Sequence, residues 1–525
     1  MKTFFGLWLS ALFMLGSTAI YAQSYAEEAL IFSRLSSTGS ARIQAMGGAQ
    51  VALGGDYSSA FSNPAGLGFF NRSEATLSLG TNFYNSTSSY YGTNTKDSQG
   101  NFNIPGFSVV FHSDKENGKL VSGNFAISLT RTNNFNQNFT YQGINPNNSL
   151  LDYFVQQSYG TYPGSFRDDT DPSYYSLQRL AYHTFLIGPQ NEVSPHADSS
   201  VWDTYANQIP FQRERVKVNG AQNQVNFAYG LNFNDKIYFG GAIGLASFNY
   251  HSKNSYSESF DNAATNNNPY PLLGFNLLED YSIKGSGINA TIGTIVKPLD
   301  FLQFGLSVAT PTYYYDINDS YSASVTAGWN TYRYVDTTYQ SNTTQFVRGN
   351  NNVITDTISQ IIANYSLSTP WRIKAGATVF IAKHGLITAE VEKVNYTKAR
   401  LKSNTDGLDF SFDNSDIKSL YRNVFNLRLG GEYRFKNFRI RTGYSYMPDP
   451  YIAQNKVDNS ISGYTGGVGY RTSKYFVDLG FSLTQWNSMY RPYTLYSGNS
   501  ISIDSPYVKL QHSNTSVMIT FGYNL

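Results

Sequence analysis

The 525-residue chain has no cysteine, which excludes disulfide frameworks, thiolate metal sites, cysteine nucleophiles and a lipid-bearing N-terminal cysteine. Charge is also scarce. Charged side chains make up 14% of the residues, against roughly 25% in soluble domains. The 38 basic and 36 acidic groups nearly cancel, to +2, so there is no basic stripe for nucleic acid. Six histidines (His112, His183, His196, His251, His384 and His512) are scattered, and no His-Glu-x-x-His, Gly-x-Ser-x-Gly or phosphate-loop pattern occurs. His183 and His196 share a long loop without cysteine partners and are read as polar loop residues. No catalytic residue, metal site or cofactor is therefore expected, and the chain is not expected to be an enzyme. Beyond the first segment, no apolar run approaches the ~20 residues of a membrane-spanning helix.

Aromatic residues are abundant, with 42 Tyr, 36 Phe and 5 Trp, yet the mean hydropathy is −0.34. Polarity must then come from Asn, Ser, Thr, Gln and Tyr. At the N-terminus, Lys2 precedes the apolar run Phe4 to Ala19, and Ala22 supplies a small residue before Gln23. Residues 1–22 thus read as a cleaved secretory signal peptide. An exported, cysteine-free, tyrosine-rich chain of this size is either a large soluble β protein or a membrane barrel.

Alternation decides between them. Tyr475, Val477, Leu479, Phe481 and Leu483 alternate with Asp478, Gly480, Ser482 and Thr484. Phe425, Leu427, Leu429, Tyr433 and Phe435 alternate with Asn426, Arg428, Gly430, Glu432 and Arg434, and similar runs start at Val225, Trp371 and Phe438. Such runs reach the ~9–11 residues a tilted strand needs to cross a bilayer, longer than the usual ~5–6 of globular sheets. Closure satisfies the backbone in lipid while side chains alternate between lipid and lumen. Fourteen strands are expected near 74–84, 101–113, 120–134, 219–234, 236–250, 280–297, 301–316, 361–382, 385–400, 422–436, 437–449, 459–473, 474–488 and 507–525. Tight links alternate with long ones, the longest being 135–218, 251–279 and 317–360, with 85–100 another. The expectation is an all-β, 14-stranded antiparallel transmembrane β-barrel over residues 73–525 in a bacterial outer membrane, its long loops outside the cell. Its last residues, Phe521, Tyr523 and Leu525, suit a final strand read by the barrel-insertion machinery. Lys393 falls on the apolar face and is tolerable there only near an interface.

Residues 23–72 do not alternate. Asp56 suits a turn cap, and Asn63 followed by Pro64 is an N-cap with proline at the first helical position. A lumen of fourteen strands holds water unless something fills it, so this segment is expected to be an N-terminal hatch plugging the barrel. The stretch Asn63-Pro64-Ala65-Gly66-Leu67, with STPWRIKAGATVF (368–380), LRLGGEYRFKNFRIRTGYSYMPDP (427–450) and TGGVGYRTSKYFVDLGFS (465–482), resembles the FadL/TodX/OmpP1 outer-membrane transporters, most closely members from the Bacteroidetes. The resemblance implies a hatch marked by Asn63, Pro64, Ala65 and Gly66, and passive, ligand-gated uptake of hydrophobic or amphipathic molecules such as long-chain fatty acids. Its partners would be outer-membrane lipid and the hydrophobic ligand, with no nucleic acid, and the barrel would act as a monomer. Two alternatives stay open: a secretion component similar to the type IX secretion shuttle barrel, and a general porin.

Three candidate sites follow from the residues. Arg428, Glu432, Arg434, Arg439 and Arg441 project inward from two adjacent strands, with Glu390 and Glu392 from the preceding one. They form either a salt-bridge network that holds the hatch or a basic spot for a carboxylate head group. Leu150, Leu151, Phe154 and Val155 fall on one side of a short helix, as a cap over the barrel mouth or a greasy ligand groove. In the second strand, Phe102 and Ile104 are apolar at even positions but Phe107, Val109 and Phe111 at odd ones, so a bulge is expected at Pro105-Gly106. Lateral release of ligand beside such a kink is what the resemblance implies.

Overall fold

The computed structural model describes residues 24–115, 118–190, 201–204, 209–260, 272–329, 332–336, 343–347, 352–404, 408–452, 457–498, 500–502 and 504–525. The signal segment and His196 lie outside the described residues. Fourteen antiparallel strands close into a barrel. They are β1 (Glu74–Tyr90), β2 (Thr93–Asp114), β3 (Leu120–Asn134, continued by Gln137–Ile144), β4 (Pro210–Phe233) and β5 (Ile237–Phe260). Next come β6 (Leu272–Leu299), β7 (Leu302–Ala309, continued by Tyr313–Trp329), β8 (Asn352–Ser368, continued by Arg372–Ile381) and β9 (Gly385–Asn395, continued by Arg400–Ser403). The last five are β10 (Asn423–Phe435), β11 (Phe438–Met447), β12 (Ile461–Arg471), β13 (Tyr475–Tyr490) and β14 (Val508–Asn524). Each strand pairs with the next, and β14 pairs with β1 from Asn524↔Glu74 to Lys509↔Ser89. Closure pairs the strand edges through the belt that the apolar side chains define, up to Gly106, where β2 and β3 part.

That belt is visible in the alternation. On β5 the outward residues Ile237, Phe239, Ile243 and Leu245 are exposed, and the next outward positions are Ser247, Asn249 and His251. On β6 the belt runs from Val296 through Ile292 to Ile288 before giving way to Ser286 and Lys284. Lys393 faces outward, with its ammonium 6.0 Å from the centre of the Phe425 ring.

The strands continue far past the belt at one end, which corrects the expected loops. Residues 85–100 are a hairpin extension of β1 and β2, closed by Tyr91 and Gly92 with φ of 40° and 82°, a two-residue turn with both central residues left-handed. Residues 251–260 and 272–279, taken as loop, are the paired upper parts of β5 and β6. Residues 317–329 and 352–360 likewise belong to β7 and β8. Above lipid the outward face turns polar and the inward face mixes polar with apolar residues, so the period-two signal fades while the backbone ladder persists.

The segment before β1 lies inside the barrel. It comprises α1 (Tyr25–Ser33), α2 (Ala41–Gln44), α3 (Ser59–Ser62) and a 3₁₀ turn, Pro64–Phe69. A large apolar core fills the long-loop end, where α1 packs with α4 (Leu150–Ser158), α5 (Leu177–His183) and the inner faces of the upper strands.

Candidate functional site

The hatch is seated on a wall built for close approach. Gly240, Gly305, Gly430 and Gly443 point inward from β5, β7, β10 and β11, and a methyl group on any of them would overlap hatch backbone at Pro64, Val51, Met46 or Gly47. Hatch backbone can therefore lie directly against the strands. Hydroxyls complete the seat: Thr520 Oγ1 accepts from Ala41 N at 2.8 Å, and Thr465 Oγ1 from Gly47 N at 3.0 Å.

Asn63 caps the 3₁₀ turn. Its Oδ1 accepts from Ala65 N at 3.2 Å, with Pro64 in the first position, where a missing amide costs nothing. Its Nδ2 donates to Val51 O at 2.6 Å and to Thr294 O on β6 at 3.3 Å. The turn residues Pro64, Ala65 and Gly66 are buried among β4, β5 and β6, and Asn124 Nδ2 on β3 donates to Leu67 O at 2.8 Å and Phe70 O at 3.3 Å. Asp56 accepts from Ser58 N at 3.1 Å.

The lumen charges are paired. Arg428 bonds Glu390 at 2.7 Å and Glu392 at 2.9 Å, and Arg372 bonds Glu392 at 3.0 Å. Glu390 Oε2 also accepts from Gln50 N and Val51 N of the hatch, each at 2.9 Å. A second group joins Arg441 to Glu432 at 2.7 Å and to Asp478 at 2.5 Å, with Arg434 at 2.8 Å from Glu432 and the hatch's Arg42 at 3.6 Å from it. Arg439, expected with this set, stands apart at the short-turn rim, where it donates to Lys436 O and Phe438 O at 2.7 and 2.8 Å. Its place beside the Lys436 turn keeps it out of reach of the network.

In β2, Phe102 and Ile104 face outward, Pro105 and Gly106 are both buried, and Phe107 and Phe111 face outward again. One extra β2 residue lies between the pairs Ser78↔Gly106 and Gly80↔Asn103, so the parity switch is a bulge. The β2–β3 ladder ends there, at Gly106↔Thr130. Above it, residues 131–134 of β3 pair with β4 alone, and residues 93–105 of β2 pair with β1 alone. The hatch covers the gap from inside. Ser36 N and Oγ donate to Thr132 O at 3.1 and 3.0 Å, Asn133 Nδ2 donates to Arg34 O at 2.9 Å, and Tyr57 lies against Gly106 with its hydroxyl 3.1 Å from Ser78 Oγ.

The structure gives Leu150, Leu151, Phe154 and Val155 a different setting from an open groove. The first three are fully buried and Val155 packs on the same core. Their helix α4 is fastened by a Ser149–Asp152 capping box, and Glu258 accepts from Leu150 N at 2.7 Å. Side chains of the cap already occupy the space a groove would need. His183 pairs with Asp356 at 3.0 Å, and among the described residues no cluster of potential ligands could hold a metal.

The chain matches a FadL homologue of Pseudomonas aeruginosa at 12% identity and a TM-score of 0.56, covering 93% of this chain and 99% of that one. The chain has the fold of the FadL-type barrels. It also matches TodX, a toluene transporter of P. putida, at 12% identity and a TM-score of 0.52, again over 93% and 99% of the two chains. No protein-family model matches the sequence, and no curated protein matches it. At this identity the likeness to the FadL-type barrels is one of fold.

Sequence reasoning did not single out several residues at this site. Tyr57, Ser36 and Asn124 hold the hatch, and Arg372 and Lys374 line the lumen beside it. The inward glycines carried a usable signal, since a glycine on the lumen face of a long strand marks close backbone approach.

Proposed function

We propose that this protein is an outer-membrane channel for passive uptake of hydrophobic or amphipathic small molecules, with long-chain fatty acids or similar compounds as candidate cargo. The observation that carries the reading is the break in the β2–β3 ladder above Gly106, bridged only by side chains (Asn134 to Asn101 at 3.5 Å, and Asp97 to Thr140 N at 2.6 Å), in a barrel whose lumen the hatch occupies. A hatch seated on glycines and ion pairs leaves no wide aqueous path, which speaks against a general porin. The gap sits at the upper edge of the apolar belt, where Phe102 and Ile104 extend the lipid-facing surface past the bulge. A solute leaving sideways there would pass into lipid without crossing water, which favours apolar cargo. The FadL-type fold, shared with a protein described as a toluene transporter, supports the same direction.

The test combines conductance and uptake. The intact barrel should conduct ions poorly in planar bilayers, and deletion of residues 24–70 should open it. Replacing Pro105-Gly106 by a single Val restores alternation and ladder, and should abolish delivery of hydrophobic solute while the barrel still folds. Large steady conductance of the intact protein, or undiminished delivery by the straightened strand, would overturn the reading. A secretion defect with unaltered solute uptake in a deletion strain would favour a secretion role instead.

A further inference from the structure

The outer surface of the barrel is not uniform above the apolar belt. On β9 the outward residues Ile387 and Val391 are exposed, Lys393 takes the next outward position, and Asn395 follows. Above them the β8–β9 ladder is interrupted. Arg372 pairs with Val394 below the break, and Ser368 pairs with Arg400 above it. Six positions on β9 separate Val394 from Arg400, against four on β8 from Arg372 to Ser368, so β9 carries two residues more. On β8 the break falls at Thr369-Pro370, where proline has no amide for the ladder. The surplus on β9 is taken up in a 3₁₀ turn, Tyr396–Lys398, capped by Asn395, whose Oδ1 accepts from Thr397 N at 3.2 Å. Tyr396 is buried in the core of the long-loop end, and Lys398 is exposed. Arg400 and Lys402 share the outward face, since Leu401 between them points into the same core.

We propose that this outer surface binds the phosphate-bearing head group of an outer-leaflet lipid, with Lys393, Lys398, Arg400 and Lys402 as its cationic contacts. The site needs only a barrel in an outer membrane and is independent of what the channel carries. Among the described residues none of the four makes an ion pair. Helix α6 (Ser411–Leu420) packs against the 3₁₀ turn and carries Asp413 and Asp416, yet neither carboxylate comes within 4.0 Å of these cations. Other cations of the outer surface are placed differently. Lys253 of β5 lies 3.1 Å from Asp280, which also holds His251 at 2.7 Å. Arg213, Arg215 and Lys217 of β4 are unpaired but begin eight positions above Val225, the last apolar outward residue of that strand, or roughly 26 Å along it. Lys393 is two positions above Val391, and Arg400 is level with Ser368, three positions above the outward Trp371.

The cations are arranged for a head group joined to acyl chains. Arg400 is fixed in place, its Nη1 donating to Thr397 O at 2.8 Å and Ala399 O at 2.6 Å, which leaves Nε and Nη2 for a phosphate. The Lys393 ammonium stands 6.0 Å from the Phe425 ring centre, so its stem runs along apolar surface while its charge reaches the head-group level. Exposed Trp371 on β8 and Tyr313 on β7, the latter paired with Ser368, frame the patch as aromatic residues do at a membrane interface. Below the cations Ile387, Val391, Ile373 and Phe425 present an apolar wall to acyl chains. A free anion would use the cations alone, whereas a phosphorylated lipid uses both parts of the surface.

The experiment uses the full barrel in detergent micelles, with native mass spectrometry reading the bound lipid. The probes are bisphosphorylated lipid A, the same lipid with both phosphates removed, and inorganic phosphate. Wild type should hold the phosphorylated lipid about tenfold or more tightly than the dephosphorylated one. Each cation beside an anionic head group contributes about fivefold, so joint replacement by Lys393→Gln, Lys398→Gln, Arg400→Gln and Lys402→Gln should weaken binding by about a hundredfold or more. Lys253→Gln should leave it unchanged. Equal binding of the two lipids by wild type, or equal binding of the phosphorylated lipid by wild type and the fourfold variant, overturns the proposal. A loss of the same size per charge in Lys253→Gln also overturns it, because the attraction would then belong to the whole outer surface. Displacement of the lipid by equimolar inorganic phosphate would assign the cations to a free anion and overturn the lipid as occupant. If the fourfold variant does not fold, the four single variants decide, and no loss in any of them overturns the site. Uptake of hydrophobic solute should be the same in wild type and variant, so failure of this site leaves the uptake reading standing.

Discussion

Residues 40–51 of the hatch meet the ion-paired side chains of the wall, whereas residues 57–70 meet neutral side chains and a single cation, Lys374, at Phe61 and Ser62. In the first stretch Gln50 and Val51 donate to Glu390, itself paired with Arg428, and Arg42 reaches Glu432. In the second, Tyr57 bonds Ser78, Asn63 bonds the backbone of β6, and Asn124 bonds the carbonyls of Leu67 and Phe70. Buried ionic contacts are costly to break one partner at a time, while a neutral hydrogen bond contributes only about 0.5–1.5 kcal/mol. The contrast separates an anchor from a part able to move. Tyr57 of the second stretch backs the β2 bulge, and Phe61 and Ser62 meet Lys374 beside the Thr310-Pro311 and Thr369-Pro370 breaks of β7 and β8. The half held weakly is the half that stands at both breaks in the wall.

The largest effect should come from breaking the anchor. Glu390→Ala strands Arg428 beside Glu392 and removes the acceptor for two hatch amides, at a cost of about 3–5 kcal/mol. Steady conductance in planar bilayers should rise toward that of the hatch deletion. An unaltered conductance would mean that the charged contacts do not anchor the hatch.

A smaller effect should follow from pH at α1, above the belt. Glu28 accepts from the Tyr281 and Tyr365 hydroxyls, the latter at 2.7 Å. Burial pushes its carboxyl up from 4.5 to about 8, with the tyrosine hydrogen bonds opposing and Asp319 adding to the rise. The folded state then binds the proton more tightly than the unfolded one. This contribution to stability is complete below about 4.5 and is lost as pH rises through about 8. Hydrogen exchange over residues 25–33 should accelerate between pH 6 and pH 9 after correction for intrinsic rates; Glu28→Gln should reduce that change, leaving the part due to Glu27, which burial pushes up to about 7. Exchange over residues 57–70, which carry no such group, should follow the intrinsic rate throughout.

The smallest effects belong to the second stretch. Asn63→Ala should cost about 0.5–2 kcal/mol of local stability, and Tyr57→Phe about 0.5–1.5 kcal/mol. Both should raise exchange over residues 57–70 and leave residues 40–51 protected. If Asn63→Ala loosened both stretches equally, the hatch would be one unit with no separable anchor.

How much of this was legible beforehand depends on the range of the signal. The bulge was visible because a single residue at Pro105 flips every later side chain to the other face, a change that period-two reading detects locally. The Asn63 cap was visible because capping spans two residues. The upper strands escape the alternation because HSKNSYSESF (251–260) loses its apolar outward face once it leaves lipid, while its inward face mixes Ser252, Asn254 and Glu258 with Tyr256 and Phe260. The apolar face of α4 was read correctly as apolar, but whether it meets a ligand or a packed cap depends on residues far away, such as Tyr493 and Phe275.

The sequence by itself determined the fourteen strands, the hatch ahead of them and the place where β2 kinks. Each of these follows from local chemistry: alternation set by lipid on one side and lumen on the other, a cap beside a proline, a parity change. Tertiary structure alone decided which charges pair, because β9, β10 and β11 must first settle into register before Glu390 meets Arg428 and the hatch amides. It also decided that Arg439 stays at the rim and that Lys374 is left with a hydroxyl and a ring in place of a carboxylate. Strand order and stagger bring together side chains dozens to hundreds of residues apart, and no local pattern encodes which of them will meet.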